Sequence, residues 1–178
     1  VSFRVLCHAA IEDYIEKRVI EIAKTVSISA KQRKLSHSAA CIISFSGQNF
    51  ETPPDTFEPP NQKQKVDWAT KVDIHERAVQ CSSHFINYIQ QKNHGIREKN
   101  LTKLLIPVGL DLGNIDTLLI SELDSYGTLR GSVAHSSTIQ VIGNKPDPKS
   151  ELDKIESLQK MLLTLDKEFD RLLVVARK

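Results

Sequence analysis

The breakers of regular structure are gathered into a few places along this chain. Of its seven prolines, four fall in Thr52-Pro53-Pro54-Asp55-Thr56-Phe57-Glu58-Pro59-Pro60 and two in Lys145-Pro146-Asp147-Pro148. Proline fixes φ and removes a backbone donor, so both stretches read as loops. Away from them, apolar residues recur at gaps of three and four, which is the spacing of a helix face.

The segment from about Ser2 to Thr25 holds neither Gly nor Pro. Phe3, Leu6, Ala10 and Tyr14 form one apolar series, and Ile11, Ile15, Val19 and Ile22 another. Two apolar faces place this helix at the centre of a bundle. A second helix is predicted from about Ser29 to Phe45, opening basic and turning apolar at Ala39, Ala40, Ile42 and Ile43. Residues 46–66 read as a proline-rich loop. Asp67 to Gln91 follows as a helix with the stripe Trp68, Val72, Val79, Phe85 and Ile89, ended by His94-Gly95 as a glycine C-cap. Asn100–Leu105 is a short helix stopped by Pro107. Ile115 to about Ile139 carries Leu118, Leu119, Leu123, Tyr126, Leu129 and Val133 at helical gaps. The last helix starts at Ser150 as N-cap, with Asp153 three residues on, and runs to the end on Leu152, Ile155, Leu158, Leu162, Leu165, Phe169 and Leu172. Only Thr138–Ile142 alternates as a strand would, and it reads equally as a helix tail. The expected fold is all-α: one helical domain over 1–178, a bundle of about five to six helices.

Composition removes several function classes. A net charge of +2 makes any nucleic-acid contact a local one. Cys7, Cys41 and Cys81 are an odd, widely spaced set without C-x-x-C, which fits a reducing compartment better than a disulfide or zinc scaffold. No apolar run approaches the roughly 20 residues of a membrane span, and a cytoplasmic location is expected. The chain has no G-x-x-x-x-G-K, G-x-G-x-x-G, H-E-x-x-H or G-x-S-x-G, so neither a cofactor nor a metal is expected.

What remains is Arg130-Gly131-Ser132-Val133-Ala134-His135. With Leu119 as reference and about 100° per residue, Arg130 falls at roughly 20°, between Leu119 and Leu123 inside the apolar arc. A guanidinium there needs a carboxylate, an interface or an anionic ligand. His135 lies about 140° around the axis from Arg130. The two side chains converge only if Gly127 and Gly131 loosen the helix, or if two copies face each other across a dimer axis. On the first helix Arg4, His8, Glu12 and Glu16 recur every four residues. This stripe is either a solvated face or the wall of a cleft, with Glu12 orienting Arg130. His37, His75, His84 and His94 have no partner at a useful spacing and read as surface or capping residues. Lys31, Arg33 and Lys34, and the set Lys92, Arg97, Lys99 and Lys103, are basic clusters able to hold RNA phosphates or simply to face water.

Arg-x4-His late in a small all-α chain resembles the HEPN superfamily (higher eukaryotes and prokaryotes nucleotide-binding). The phrase Leu123 to Ser136 is similar to its R-x-x-x-A-H form, and Leu6-Cys7-His8-Ala9-Ala10-Ile11-Glu12-Asp13-Tyr14 to its first helix. Asn93 through Leu110 resembles the middle of the branch associated with RiboL-PSP proteins. The resemblance implies a homodimer that cleaves RNA without metal at its cleft, by attack of the ribose 2′-hydroxyl. His135 would be the proton carrier, Arg130 the phosphate brace, and Glu12 and Ser132 supporting residues. It also implies a toxin or antiviral defence effector, with an inhibitory antitoxin or a fused or partner sensor domain. Gly131 stands where many active members carry a polar residue, which bears on cleavage strength and not on the fold. The alternatives are a catalytically weak nucleic-acid- or nucleotide-binding or dimerisation module on the same fold, and a helical adaptor in which the hexapeptide is accidental.

Overall fold

A computed structural model describes residues 2–47, 61, 71–135 and 147–178, with the backbone alone at 2, 112 and 130–135. The elements are α1 (Ser2–Lys31), α2 (His37–Phe45), α3 (Ile74–Lys92), α4 (Glu98–Leu105), a 3-10 turn at Leu112–Asn114, α5 (Thr117–His135) and α6 (Pro148–Arg177). No strand occurs among the described residues. The all-α bundle read from the periodicity is the fold. Trp68 and the alternating run Thr138–Ile142 lie outside the described residues, as does most of the 46–66 segment.

The two longest helices set the frame. At about 1.5 Å per residue, α1 and α6 are each roughly 45 Å long. They lie side by side and parallel: Arg4 meets Glu151, Tyr14 meets Asp166, Arg18 meets Asp166 and Asp170, and Ser29 meets Ala176. Helix α3 runs back along α1, since Glu16 bonds Asn93 while Arg33 bonds Asp73. Ile11, Ile15, Val19 and Ile22 of α1 are buried with Leu101, Leu104, Leu119, Leu123, Phe169 and Leu172 in one core. Toward the far end of α1 the core changes to small residues, Ala23, Ala30, Ala39, Ala78 and Ala176. Small side chains there let four helices approach closely. The other apolar series of α1, Phe3, Leu6, Ala10 and Tyr14, is only partly used, for Phe3 and Leu6 are exposed while Tyr14 is half-buried.

Several boundaries differ from the sequence reading, each for a local reason. Helix α1 continues to Lys31 and then turns with Arg33 at φ 61. The Arg33 N–H donates to the Ala30 carbonyl and the Lys34 N–H to the Ser29 carbonyl, a Schellman closure that usually uses glycine. Ser36 then caps α2 by accepting from the Ala39 N–H at 3.2 Å. Asp73 caps α3, accepting from the His75 and Glu76 N–H groups. That helix ends at Asn93 in extended backbone, and Gly95 takes its positive φ two residues later, so it is not the C-cap. Asp147, and not Ser150, caps α6, with Pro148 in its first turn.

Helix α4 ends at Leu105, but the chain keeps turning through Pro107 to Gly109. The Gly109 N–H donates to the Ile106 carbonyl and the Leu110 N–H to the Leu105 carbonyl, with Gly109 at φ +86. A Cβ at Gly109 would sit 2.9 Å from His37 Cδ2 and 3.2 Å from Cys41 Sγ. Gly109→Ala therefore combines a left-handed backbone penalty of about 1–2 kcal/mol with crowding against α2. Since about 1 kcal/mol shifts the melting temperature of a chain this size by roughly 2–4 °C, a drop of several degrees is expected by circular dichroism. An unchanged midpoint would show that this turn is not under constraint.

Candidate functional site

Residues four apart on a helix share a face, and the face that carries Arg4, His8, Glu12 and Glu16 is largely withdrawn from water. Arg4 Nε and Nη2 grip the Glu151 carboxylate at 2.9 and 2.5 Å, a two-pronged pair between α1 and the first turn of α6. His8 is 2% exposed, and its Nδ1 stands 3.5 Å from Glu12 Oε2. Glu16 accepts from Asn93 Nδ2 at 2.7 Å, and the Asn93 side-chain oxygen accepts from Asn100 at 3.3 Å. A solvated stripe is thus not what forms. The seam is anchored at both ends, to α6 through Arg4 and to the α3–α4 junction through Glu16, with His8 and Glu12 between.

Helix α5 is joined to this seam by Tyr126. The ring is buried, and its hydroxyl donates to the Arg4 carbonyl at 3.3 Å. Burial, with the Cys7 thiol and Glu151 nearby, pushes the phenol up to about 12. It therefore stays protonated and remains a donor. Burial likewise pushes the Cys7 thiol up, away from a reactive thiolate. Two residues before Tyr126, Asp124 accepts from the Glu98 N–H at 3.0 Å and from Arg97 Nε at 3.2 Å. It thereby caps α4 from outside that helix, and the Glu98 amide holds its carboxyl below the usual range. Gly127 has a packing role, since a Cβ there would lie 2.9 Å from Arg97 Cγ.

Arg130 stands one turn beyond Tyr126, and the helix runs unbroken through Gly127 and Gly131 to His135. The glycines do not loosen it. The reference residues Leu119 and Leu123 are both buried. The side chains of Arg130, Ser132 and His135 lie outside the described residues, and with them the pairing of Glu12 with Arg130. Glu12 itself is half-buried beside His8.

The basic candidates divide. Arg33 pairs with Asp73 at 2.5 Å and Arg97 with Asp124 at 3.2 Å, so each is tied to a helix cap. Lys31, Lys34, Lys92, Lys99 and Lys103 are exposed. Among the remaining histidines, His75 lies 3.4 Å from Asp73 in the α3 cap, and His37 Nε2 lies 3.4 Å from Cys41 Sγ. His84 and His94 are exposed. Among the described residues no helix is long and apolar enough to cross a membrane.

The family model described as RiboL-PSP-HEPN matches residues 2–171. The chain belongs to the RiboL-PSP-HEPN family. No curated protein and no solved structure matches it. The match takes in the α1 seam, Tyr126 and the Arg130–His135 hexapeptide, so the residues singled out by the resemblance belong to the HEPN region itself.

Sequence reasoning missed Glu151, Asn93 and the polar role of Tyr126. Glu151 stands in the first turn of α6, where an acid already suits the helix dipole, so nothing marks it as a long-range partner. Tyr126 reads as one more apolar residue, although a buried phenol always needs an acceptor. The Arg4–Glu151 pair has a readable pH signature. Arg4 holds the Glu151 carboxyl below its ordinary value of about 4.3. A depressed folded value means that the stabilisation is present above about pH 4.3 and is lost as pH falls through the folded value. The melting temperature of Glu151→Gln should lie below wild type at pH 7 and converge with it as the pH falls through and below the depressed folded value. Parallel curves would mean that the pair contributes nothing.

Proposed function

We propose that this HEPN chain is a metal-independent endoribonuclease that acts by 2′-hydroxyl transesterification at a cleft between two copies. What carries the reading is a coincidence on α5. The Arg-x4-His sequence occupies the last turns of the helix that Tyr126 ties to the buried charged seam of α1. In a helical chain of this family, an arginine one turn beyond that tie suits an anionic ligand.

In the proposed reaction His135 of one copy takes the proton from a ribose 2′-hydroxyl, a task suited to an imidazole near neutral pH. The 2′-oxygen attacks phosphorus and the P–O5′ bond breaks. His135 of the second copy delivers a proton to the leaving 5′-oxygen. Arg130 braces the phosphate as negative charge builds on it. The products are a 2′,3′-cyclic phosphate and a 5′-hydroxyl end. An unbroken helix keeps Arg130 and His135 about 140° apart, so one motif alone does not converge on one phosphate. A two-fold axis beside the motif supplies both an acid and a base. The biological setting proposed is a cytoplasmic toxin or antiviral defence effector, restrained by an antitoxin or a sensor domain. Gly131 favours the second reading, a weakly catalytic binding or dimerisation module.

Purified protein is expected to cut RNA in the presence of EDTA and to leave cyclic-phosphate ends. His135→Ala and Arg130→Ala should each lower the rate by about 10²–10⁴-fold. Arg130→Lys should fail as well, because an ammonium lacks the guanidinium fork. Helical content and dimeric state should be unchanged in all three. A two-fold loss in His135→Ala would remove it as the base, and wild-type protein that dimerises but leaves every RNA intact would favour the binding module.

A further inference from the structure

Between α2, α3 and α4 the structure holds a groove that the proposed chemistry does not use. Phe45 closes α2, His84 and Tyr88 come from α3, and Thr102, Lys103 and Ile106 from α4 and its turn. Phe45 is 58% exposed at the mouth of this cavity, so its ring is open to a ligand. Lys103 is exposed and joins no ion pair among the described residues. Lys99, one turn before it, is not part of the lining and helps to hold the Asp124 carboxyl down instead. No carboxylate lines the groove. An aromatic cleft edged by an imidazole and an unpaired lysine offers flat faces for stacking and positive charge for a backbone, the combination that holds single-stranded nucleic acid.

We propose that this groove is a base-binding subsite for single-stranded RNA, with an unpaired base stacked on Phe45 and Tyr88 and the adjoining phosphate on Lys103. The RNA identity of the ligand rests on the nuclease reading above; the groove as a nucleic-acid site rests on its own lining. Helix α4 links the two regions. Its Thr102 lines this groove and also a second cavity between α4 and α5. That second cavity is walled by Asp124, six residues before Arg130. RNA held in the groove would reach the motif along α4. The sequence marks the cluster with Lys103 as a candidate for RNA phosphates, but not the aromatic wall beside it, because Phe45 and Tyr88 come from different helices.

The test uses the whole chain and a fluorescent single-stranded oligonucleotide with 2′-O-methyl riboses, which binds but cannot be cleaved by 2′-oxygen attack. Stacking on one aromatic is worth about 1–3 kcal/mol, so Phe45→Ala should weaken binding by roughly 5- to 150-fold in fluorescence anisotropy. Phe45→Trp, which keeps a π face, should bind like wild type. Lys103→Glu should weaken binding and flatten its salt dependence. With cleavable RNA, both loss variants should raise KM and leave kcat near wild type. Wild-type protein that binds the oligonucleotide but cuts no RNA would sink the nuclease reading and leave the subsite standing. If Phe45→Ala and Lys103→Glu bind as wild type does, or if wild type binds no oligonucleotide, the subsite proposal is overturned. In those cases the groove is left to another ligand, such as an acidic peptide.

Discussion

The parallel pairing of α1 with α6 is the contact on which the other helices depend. It is sealed by polar bonds along its length, from Arg4–Glu151 through Arg18–Asp170 to Ser29 and the Ala176 carbonyl. Arg18 adds its guanidinium over the Phe169 ring, 5.7 Å from the centroid. Between these ties the two helices share Ile11, Ile15, Val19, Leu165, Phe169 and Leu172 with the core. Parallel neighbours cannot be joined by a short turn, so the chain between them must travel back along the bundle. It does so in α3, α4 and α5, which cover the faces that α1 and α6 leave open.

That arrangement explains why a helix as apolar as α1 can carry four polar residues on one face. Each end of the seam has a partner on another element, so its desolvation is offset by directed bonds. Tyr126 makes the seam part of the α5 environment, and Asp124 fixes where α4 begins. The end of α5 is thereby referenced to three other helices before any ligand is considered.

Helix existence was legible in the sequence because gaps of three and four survive for many residues, as in Leu119, Leu123 and Tyr126. Helix ends were less so. Arg33 takes a left-handed conformation without being glycine, and its stabilisation comes partly from Asp73, forty residues away. Asp147 and Ser150 are equally good caps by type, and only the backbone decides between them. The stripe on α1 was visible, but whether it faced water could not be read without Glu151 and Asn93. The groove of Phe45, His84 and Lys103 is assembled from three helices, and no single-segment pattern reports such a meeting.

The offset between α1 and its partners on α6 also bears on how the molecule comes into being. Arg4 and Tyr14 precede Glu151 and Asp166 by 147 and 152 positions. During synthesis α1 therefore emerges well before its partner α6. The charged seam is completed only when Glu151 has emerged, so Arg4 has no counter-charge from α6 while most of the chain already exists. Contacts this distant in sequence must bear their loop-closure entropy before they return any stabilisation, which makes docking of α6 the late step. The last 30-residue helix thus acts as a timer, and the environment around the end of α5 is finished only once the whole bundle is present.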